Sequence, residues 1–178
     1  MTVSLEAFKE VMGLFPTGVT VVTTEGLGDE PYGVTVSAFA SVSLDPKLVL
    51  ICLDNRLSGI DRFLPAGRFA VNILSEDQTE ISTHFATSGS DRSEKSGFYT
   101  RSASGLPILR ESMAWMECRL TASYPGGDHT ILVGEVRDAG PGRHSVDRGP
   151  LLYYRRRYTG LSGEMSPPLT VSDHKSEA

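Results

Sequence analysis

The stretch Gly33-Val-Thr-Val-Ser-Ala-Phe-Ala-Ser-Val-Ser43 decides the reading of the fold. Val34, Val36, Ala38, Ala40 and Val42 fall on one parity, and Thr35, Ser37, Phe39, Ser41 and Ser43 on the other. A strand sends successive side chains to opposite faces, so the run predicts one β-strand with an apolar face and a second face of hydroxyls around a single aromatic. An open strand face usually carries charge. A row of small neutral donors instead suits a polar, uncharged ligand bearing amide or phosphate groups, although Ser and Thr pairing across a sheet would produce the same pattern.

Apolar and turn-rich segments extend from this run in both directions. Before it, residues 4–15 place Leu5, Phe8, Val11, Met12 and Phe15 at helical spacing behind a Ser4 cap. Gly18 to Thr24 reads as a strand, and a Gly- and acid-rich turn over 25–31 makes it the hairpin partner of the central run. After it, Lys47-Leu-Val-Leu-Ile-Cys-Leu53 is an unbroken apolar run, which suits a strand covered on both sides. Ser58 to Asp61 and Ser75 to Gln78 match the capping-box pattern and predict two short helices around the strand Phe69–Leu74. Residues 87–105 read as a long polar connection, of the kind that is usually functional or mobile. Ser112 to Tyr124 and Thr130 to Val136 form a second hairpin about the turn Pro125-Gly-Gly-Asp-His129, and Leu151 to Arg155 gives one more strand. Six or seven strands, two or three small helices and no βαβ alternation predict a mainly β, antiparallel barrel with helices at its margins. Its open end and exposed edges suit a symmetric homodimer that completes the pocket. One domain over residues 1–161 accounts for the chain, with residues 162–178 a polar tail that is expected to be disordered.

Composition removes several function classes. A net charge of −5 and a pI near 5.4 leave no electrostatic footprint for nucleic acid. Cys52 and Cys118 lie in apolar, strand-like segments without Cys-x-x-Cys spacing and read as reduced core residues. The N-terminus has no basic region leading into an apolar core, and no apolar segment approaches the roughly 20 residues of a membrane span. A soluble, cytoplasmic protein is therefore expected.

Motifs for side-chain catalysis are missing. Gly26-Leu-Gly28 precedes a strand rather than opening a helix, and there is no Walker loop, Gly-x-Ser-x-Gly elbow or His-Glu-x-x-His. His84, His129, His144 and His174 are too scattered for a metal cluster. His129 has the most suggestive setting, because Gly126 and Gly127 let the backbone bend around it while Asp128 can orient the ring. A turn histidine bonded to a neighbouring carbonyl is the plainer alternative. His84 beside Phe85 reads as structural. In Tyr153-Tyr-Arg-Arg-Arg-Tyr158, an edge strand with a solvated face competes with an arginine on a phosphate and a tyrosine such as Tyr158 stacked on a ring. Arg92 in the polar connection is a further phosphate candidate.

Taken together, these pieces resemble the short-chain flavin reductases, the reductase components of two-component flavin-dependent monooxygenases. The resemblance is carried by Pro16-Thr-Gly-Val-Thr-Val-Val-Thr-Thr24, the central run with Leu44-Asp-Pro46, Phe69-Ala-Val-Asn-Ile-Leu74, Phe85-Ala86, and Gly127-Asp-His129 with Gly134-Glu-Val136. The Tyr124–His129 turn and the Arg-Arg-Tyr ending look most like reductases paired with actinobacterial antibiotic-pathway monooxygenases. The resemblance implies a split β-barrel homodimer that binds FMN or FAD and takes hydride from NADH or NADPH to supply reduced flavin to a partner monooxygenase. It implies flavin contacts at Thr35, Ser37, Ala38, Ser41, Val42 and Ser43, completed by Asn55, Ser58, Phe85 and Ala86; Val36 in the same run, and Arg92 and Tyr158 on the reading given above, join these candidates. It sets Asp128 and His129 beside the nicotinamide. Two departures stand out: Ser93 replaces an aromatic after Asp91-Arg92, and Lys47 replaces the second proline after Asp45. Hydride passes between such rings without an obligatory protein acid or base, which accounts for the missing catalytic constellation. An oxidase or oxygenase that keeps its flavin, and a flavin-binding module without turnover, are the competing readings.

Overall fold

The structure is a computed structural model that describes residues 2–26, 30–57, 59–142 and 148–161. Among these residues, three α-helices, α1 (Leu5–Gly13), α2 (Ile60–Ala66) and α3 (Thr79–Ala86), accompany twelve strands. The strands are β1 (Thr17–Gly18), β2 (Thr20–Glu25), β3 (Pro31–Val36), β4 (Phe39–Leu44), β5 (Lys47–Asp54), β6 (Arg68–Ile73), β7 (Tyr99–Arg101), β8 (Pro107–Leu109), β9 (Ala114–Gly126), β10 (His129–Pro141), β11 (Leu152–Tyr154) and β12 (Arg157–Thr159). Seven of them form one antiparallel sheet in the order β3-β2-β6-β9-β10-β5-β4. The result is a mainly β fold with few helices.

The central run is not one strand. It breaks at Ser37 and Ala38, and its two halves, β3 and β4, form the opposite edges of the seven-stranded sheet. A flat sheet of that order would hold its edges about 29 Å apart at about 4.8 Å per strand. The chain from Val36 to Phe39 spans at most about 11 Å. The sheet must therefore curl until its edges meet, which is consistent with a split barrel. At the break the Cys52 N–H donates to the Ala38 carbonyl at 3.0 Å, which joins the second half to β5.

Changing partners also changes parity. Val34 and Val36 are buried as expected, but beyond the break Phe39 turns onto the core, and Ala38, Ala40 and Val42 are exposed. A bulge between Ser41 and Ser43 then shifts the register again. Strict alternation in the sequence hid both events.

The barrel encloses Val22, Val34, Ile51, Phe69, Val71 and Leu132, while Val21, Leu74, Phe85, Tyr99 and Leu151 form a second core on the outside of β2 under α3. β2 is thus covered on both faces, as are β6 and most of β3, whereas β5 is not. In β5, Val49, Ile51 and Leu53 are buried, and Leu48, Leu50 and Cys52 stand half-exposed on the outer side. Cys118 is buried as expected, whereas Cys52 is only half-buried; both are free thiols.

Helix α1 begins at the expected cap, with Ser4 Oγ accepting from the Ala7 N–H at 3.2 Å. It buries none of its own residues, so Leu5, Phe8, Val11 and Met12, with Phe15 just beyond, face outward. The first helix after β5 starts at Ile60, one residue past Gly59, and the predicted cap Ser58 lies outside the described residues. At α3, the Ser75 N–H donates to Gln78 Oε1 at 2.9 Å, while the Ser75 hydroxyl turns to Asp77. Half of the expected capping box forms. The polar connection over 87–105 is more ordered than expected: it holds a 3-10 turn at Glu94–Ser96 and strand β7, which pairs with β8. Tyr99 is fully buried there, its hydroxyl donating to the Arg92 carbonyl at 2.8 Å. The tail from residue 162 lies outside the described residues.

Candidate active site

One end of the sheet gathers the groups with chemical potential. β9 and β10 meet in a two-residue turn, Gly127-Asp128, between the paired Gly126 and His129. Gly127 has φ +75, the left-handed backbone that this turn demands at its first position and that glycine adopts without cost. His129 sits opposite Asp54 at the end of β5, and the Asn55 N–H donates to the Asp128 carbonyl at 3.0 Å. Thr130 Oγ1 donates to Asn55 Oδ1 at 2.7 Å. The Ala38–Cys52 bond puts the break in the central run at this same end, about 7 Å along the strand from Asp54.

Two ionised carboxylates flank the imidazole. His129 Nδ1 lies 2.8 Å from Asp128 Oδ1, and that contact holds the Asp128 carboxyl below the usual carboxylate range. Asp54 is gripped by the side chain and N–H of Arg56, at 2.7 Å for Nη2 and 2.8 Å for the N–H, and is held well below that range, with a smaller contribution from His129. Asp128 and Arg56 are exposed and Asp54 and His129 half-exposed, so their mutual attraction is screened and orients the ring more than it stabilises the fold. With Nδ1 engaged, Nε2 has no protein partner among the described residues and can hydrogen-bond a ligand.

The expected hydroxyl row divides into three parts. Thr35 Oγ1 donates to the Ser82 carbonyl of α3 at 2.6 Å, so its proton is already committed. The Val36 side chain lies in the core, and its carbonyl accepts from Thr20 Oγ1 at 2.7 Å. Ser37 and Ala38 are exposed at the break, and Ser37 faces a groove of about 360 Å³ against α1, β1 and β11. Ser41 and Val42 are exposed on the outer edge at the bulge, whereas Ser43 Oγ donates to the Asp45 carbonyl at 3.2 Å. The continuous five-position face of the sequence reading does not form.

The other candidates fall elsewhere. Phe85 is fully buried, edge-on to Phe98 at 5.6 Å and Tyr99 at 5.9 Å, and so close to Gly33 that a Cβ there would meet its ring at 2.7 Å. Its ring is therefore packed in the core, and Ala86 beside it is exposed. The Tyr158 hydroxyl meets Ser82 Oγ at 2.8 Å, so Thr35, Ser82 and Tyr158 form one polar chain tying β3, α3 and β12 together. Arg92 lies 5.3 Å over the Tyr32 ring and donates to the Tyr32 hydroxyl at 2.8 Å and the Thr87 carbonyl at 3.0 Å. With Arg62, 5.0 Å from that ring, it borders a cavity of about 400 Å³. Ser58 lies outside the described residues.

Thr130, Arg56, Ser82 and Tyr32 were not singled out from the sequence. Asp54-x-Arg56 at a strand end carried a local signal, since an Asp can bond the N–H two residues on. Tyr32 and Ser82 carried none, because their partners are about 50 to 80 residues away in the chain.

The break fits a flavin ring. Ser37 and Ser41 present hydroxyls with no protein partner among the described residues, and no charged side chain stands between Thr35 and Leu44. Such a surface suits an uncharged heterocycle with amide edges, with His129 Nε2 near the same end for a second ligand.

Nearly the whole chain resembles proteins already known. Residues 12–162 match the flavin reductase like domain. The chain is 41% identical over 163 residues to a flavin reductase (NADH) of Kitasatospora aureofaciens, covering 91% of this chain and 84% of that protein. It is 40% identical over 161 residues to the NADH-dependent FMN reductase AsuE2 of Streptomyces nodosus subsp. asukaensis, covering 86% and 83%. Among solved structures, the NADH:FAD oxidoreductase SgcE6 of Streptomyces globisporus, in complex with NAD and FAD fragments, superposes with a TM-score of 0.82 at 34% identity over 93% of this chain and 99% of that one. With its curled sheet, neutral break and Gly-Asp-His turn, this chain belongs to the flavin reductase like family.

Proposed function

We propose that the chain is a flavin reductase that takes hydride from a reduced nicotinamide nucleotide and releases reduced flavin to a partner monooxygenase. The observation that carries this reading is the juxtaposition at one end of the barrel: a neutral break at Ser37 and Ala38 whose Ser37 hydroxyl has no protein partner among the described residues, and an imidazole whose Nδ1 is engaged and whose Nε2 has none among them. Bound flavin would supply the hydride acceptor. The chain's own residues bind and orient: Ser37 and Ser41 meet the neutral ring edge, and His129 Nε2 donates to or accepts from the carboxamide of the nucleotide. Asp128 keeps that imidazole in one orientation. Holding a ring through neutral hydrogen bonds alone gives modest affinity, as a flavin that must leave requires.

NADH is the proposed donor and FMN the proposed acceptor, in keeping with the relatives named for NADH and FMN. A homodimer is proposed on the outer face of β4 and β5, where Leu44 is 89% exposed beside exposed Val42 and half-exposed Leu48 and Leu50. An apolar patch of that kind on an edge strand suits an isologous contact. The proposed location is the cytoplasm.

The test is oxidation of NADH or NADPH, followed at the nicotinamide absorbance band, with FMN or FAD in excess. Rapid flavin-dependent oxidation in the absence of any organic substrate supports the reductase. Oxidation that requires an organic substrate points to an oxygenase, and none with any pairing points to a binding module.

A further inference from the structure

The turn between β11 and β12 is built against its own backbone preference. Only Arg155 and Arg156 separate the paired Tyr154 and Arg157, and both have positive φ, +48 and +62. Two-residue turns of this kind favour Asn-Gly or Gly-Gly, because a side chain in the left-handed region is strained. They are the only non-glycine residues with positive φ among those described. Strain of this kind persists where the surroundings over-determine it, and here the Arg155 N–H is pinned to the Gly13 carbonyl at the end of α1 at 2.8 Å.

The side chains held there have no acid partner. No carboxylate pairs with Arg155 or Arg156 among the described residues, although the chain as a whole is acidic; the Arg155 guanidinium rests 5.5 Å over the Tyr154 ring. Grooves of about 380 Å³ and 360 Å³ meet at this pair and share Lys9; Glu10 borders the first, and the second has no acidic wall among the described residues. The second groove carries Phe8, Met12 and Tyr153 on its walls and reaches Ser37 at the break in the central run. A cationic rim beside an aromatic and thioether surface, leading to the proposed flavin site, is chemically matched to a diphosphate joined to a purine.

We propose that Arg155 and Arg156, with Lys9, form a subsite for the adenosine diphosphate half of a dinucleotide, the unit common to NADH and FAD. This rests on the reductase reading, since that reading puts the reacting rings near Ser37. The guanidinium groups contact the diphosphate, and the apolar wall beside Phe8 and Tyr153 receives the adenine. The subsite favours dinucleotides over their mononucleotide halves, so an enzyme that reduces FMN would still distinguish NADH from reduced nicotinamide mononucleotide.

The double variant R155N/R156G tests this without endangering the fold, because Asn-Gly is the sequence this turn prefers. Its thermal midpoint is expected to equal or exceed that of the parent, while affinity for ADP, titrated calorimetrically, falls at least tenfold. KM for NADH at saturating FMN is expected to rise with it if NADH supplies the diphosphate. If FAD supplies it, the Kd for FAD rises while that for FMN does not. Unchanged ADP affinity in a folded double variant, or a parent that binds reduced nicotinamide mononucleotide as tightly as NADH and FMN as tightly as FAD, overturns the proposal. Failure of the reductase reading itself has a different signature: the parent oxidises no NADH with either flavin.

Discussion

Thr35 Oγ1 donates to the Ser82 carbonyl at 2.6 Å, which removes the first hydroxyl of the central run from the set available to a ligand. Thr35→Val should therefore cost about 1 kcal/mol of stability, the value of one hydrogen bond, and leave the flavin Kd within about twofold. Ser37→Ala should do the reverse, with little change in stability and about fivefold weaker flavin binding, a factor equivalent to about 1 kcal/mol. Urea melts and fluorescence titrations of both variants check the contrast.

His129→Ala should slow flavin reduction by about a hundredfold, the usual loss on removing one positioned donor, and leave the flavin Kd within about threefold. Single-turnover mixing of NADH with the flavin-loaded protein measures it. Unaltered reduction would remove His129 from the reacting pair.

Phe85→Ala should cost about 3–5 kcal/mol, because the ring fills the second core between Gly33 and Tyr99. Flavin affinity of the fraction that remains folded should not change. Loss of binding without loss of stability would return Phe85 to the site.

Burial pushes the Cys118 thiol up to about 12 from its ordinary 9.0, chiefly by desolvation. A raised thiol contributes stability that is fully present below pH 9 and is lost as pH climbs from there toward 12. Cys118 should accordingly resist iodoacetamide at pH 8.5 in the folded protein, and half-buried Cys52, whose thiol burial also raises, should react slowly. Peptide mapping after alkylation, with and without urea, reads both.

Leu44→Glu should convert a dimer to monomers by placing a charge on the outer face of β4, with no loss of secondary structure. Sedimentation velocity distinguishes the two masses. Wild-type protein that sediments as a monomer would exclude the proposed contact.

The sequence carried most of the local structure, because helix caps, turns and alternation are encoded within a few residues. Ser4 capped α1, Gly127 and Asp128 made the tight turn, and β2 paired with β3 and β9 with β10 as expected. What alternation could not reveal was a change of partner inside an alternating run. Residues 33–43 keep period two across Ser37 and Ala38 although the face that points inward reverses there. The geometry of the candidate site was legible where its parts adjoin in sequence, as for the contact between Asp128 and His129. It was illegible where long-range bonds decide a residue's role: nothing local says that the Thr35 proton goes to α3, or that Phe85 belongs to a core built from Tyr99 and Leu151.

Curling the sheet by means of a single run has a mechanical outcome. A nick between Ser37 and Ala38 would loosen both margins of the barrel wall together, because β3 and β4 are held near each other by that short covalent bridge and not by a ladder of their own. The same nick at the Gly127–Asp128 tip would leave every rung between β9 and β10 in place. Proteolysis at that bridge should thus release the enclosed core as a whole, making one peptide bond the seam on which the vessel's tightness depends.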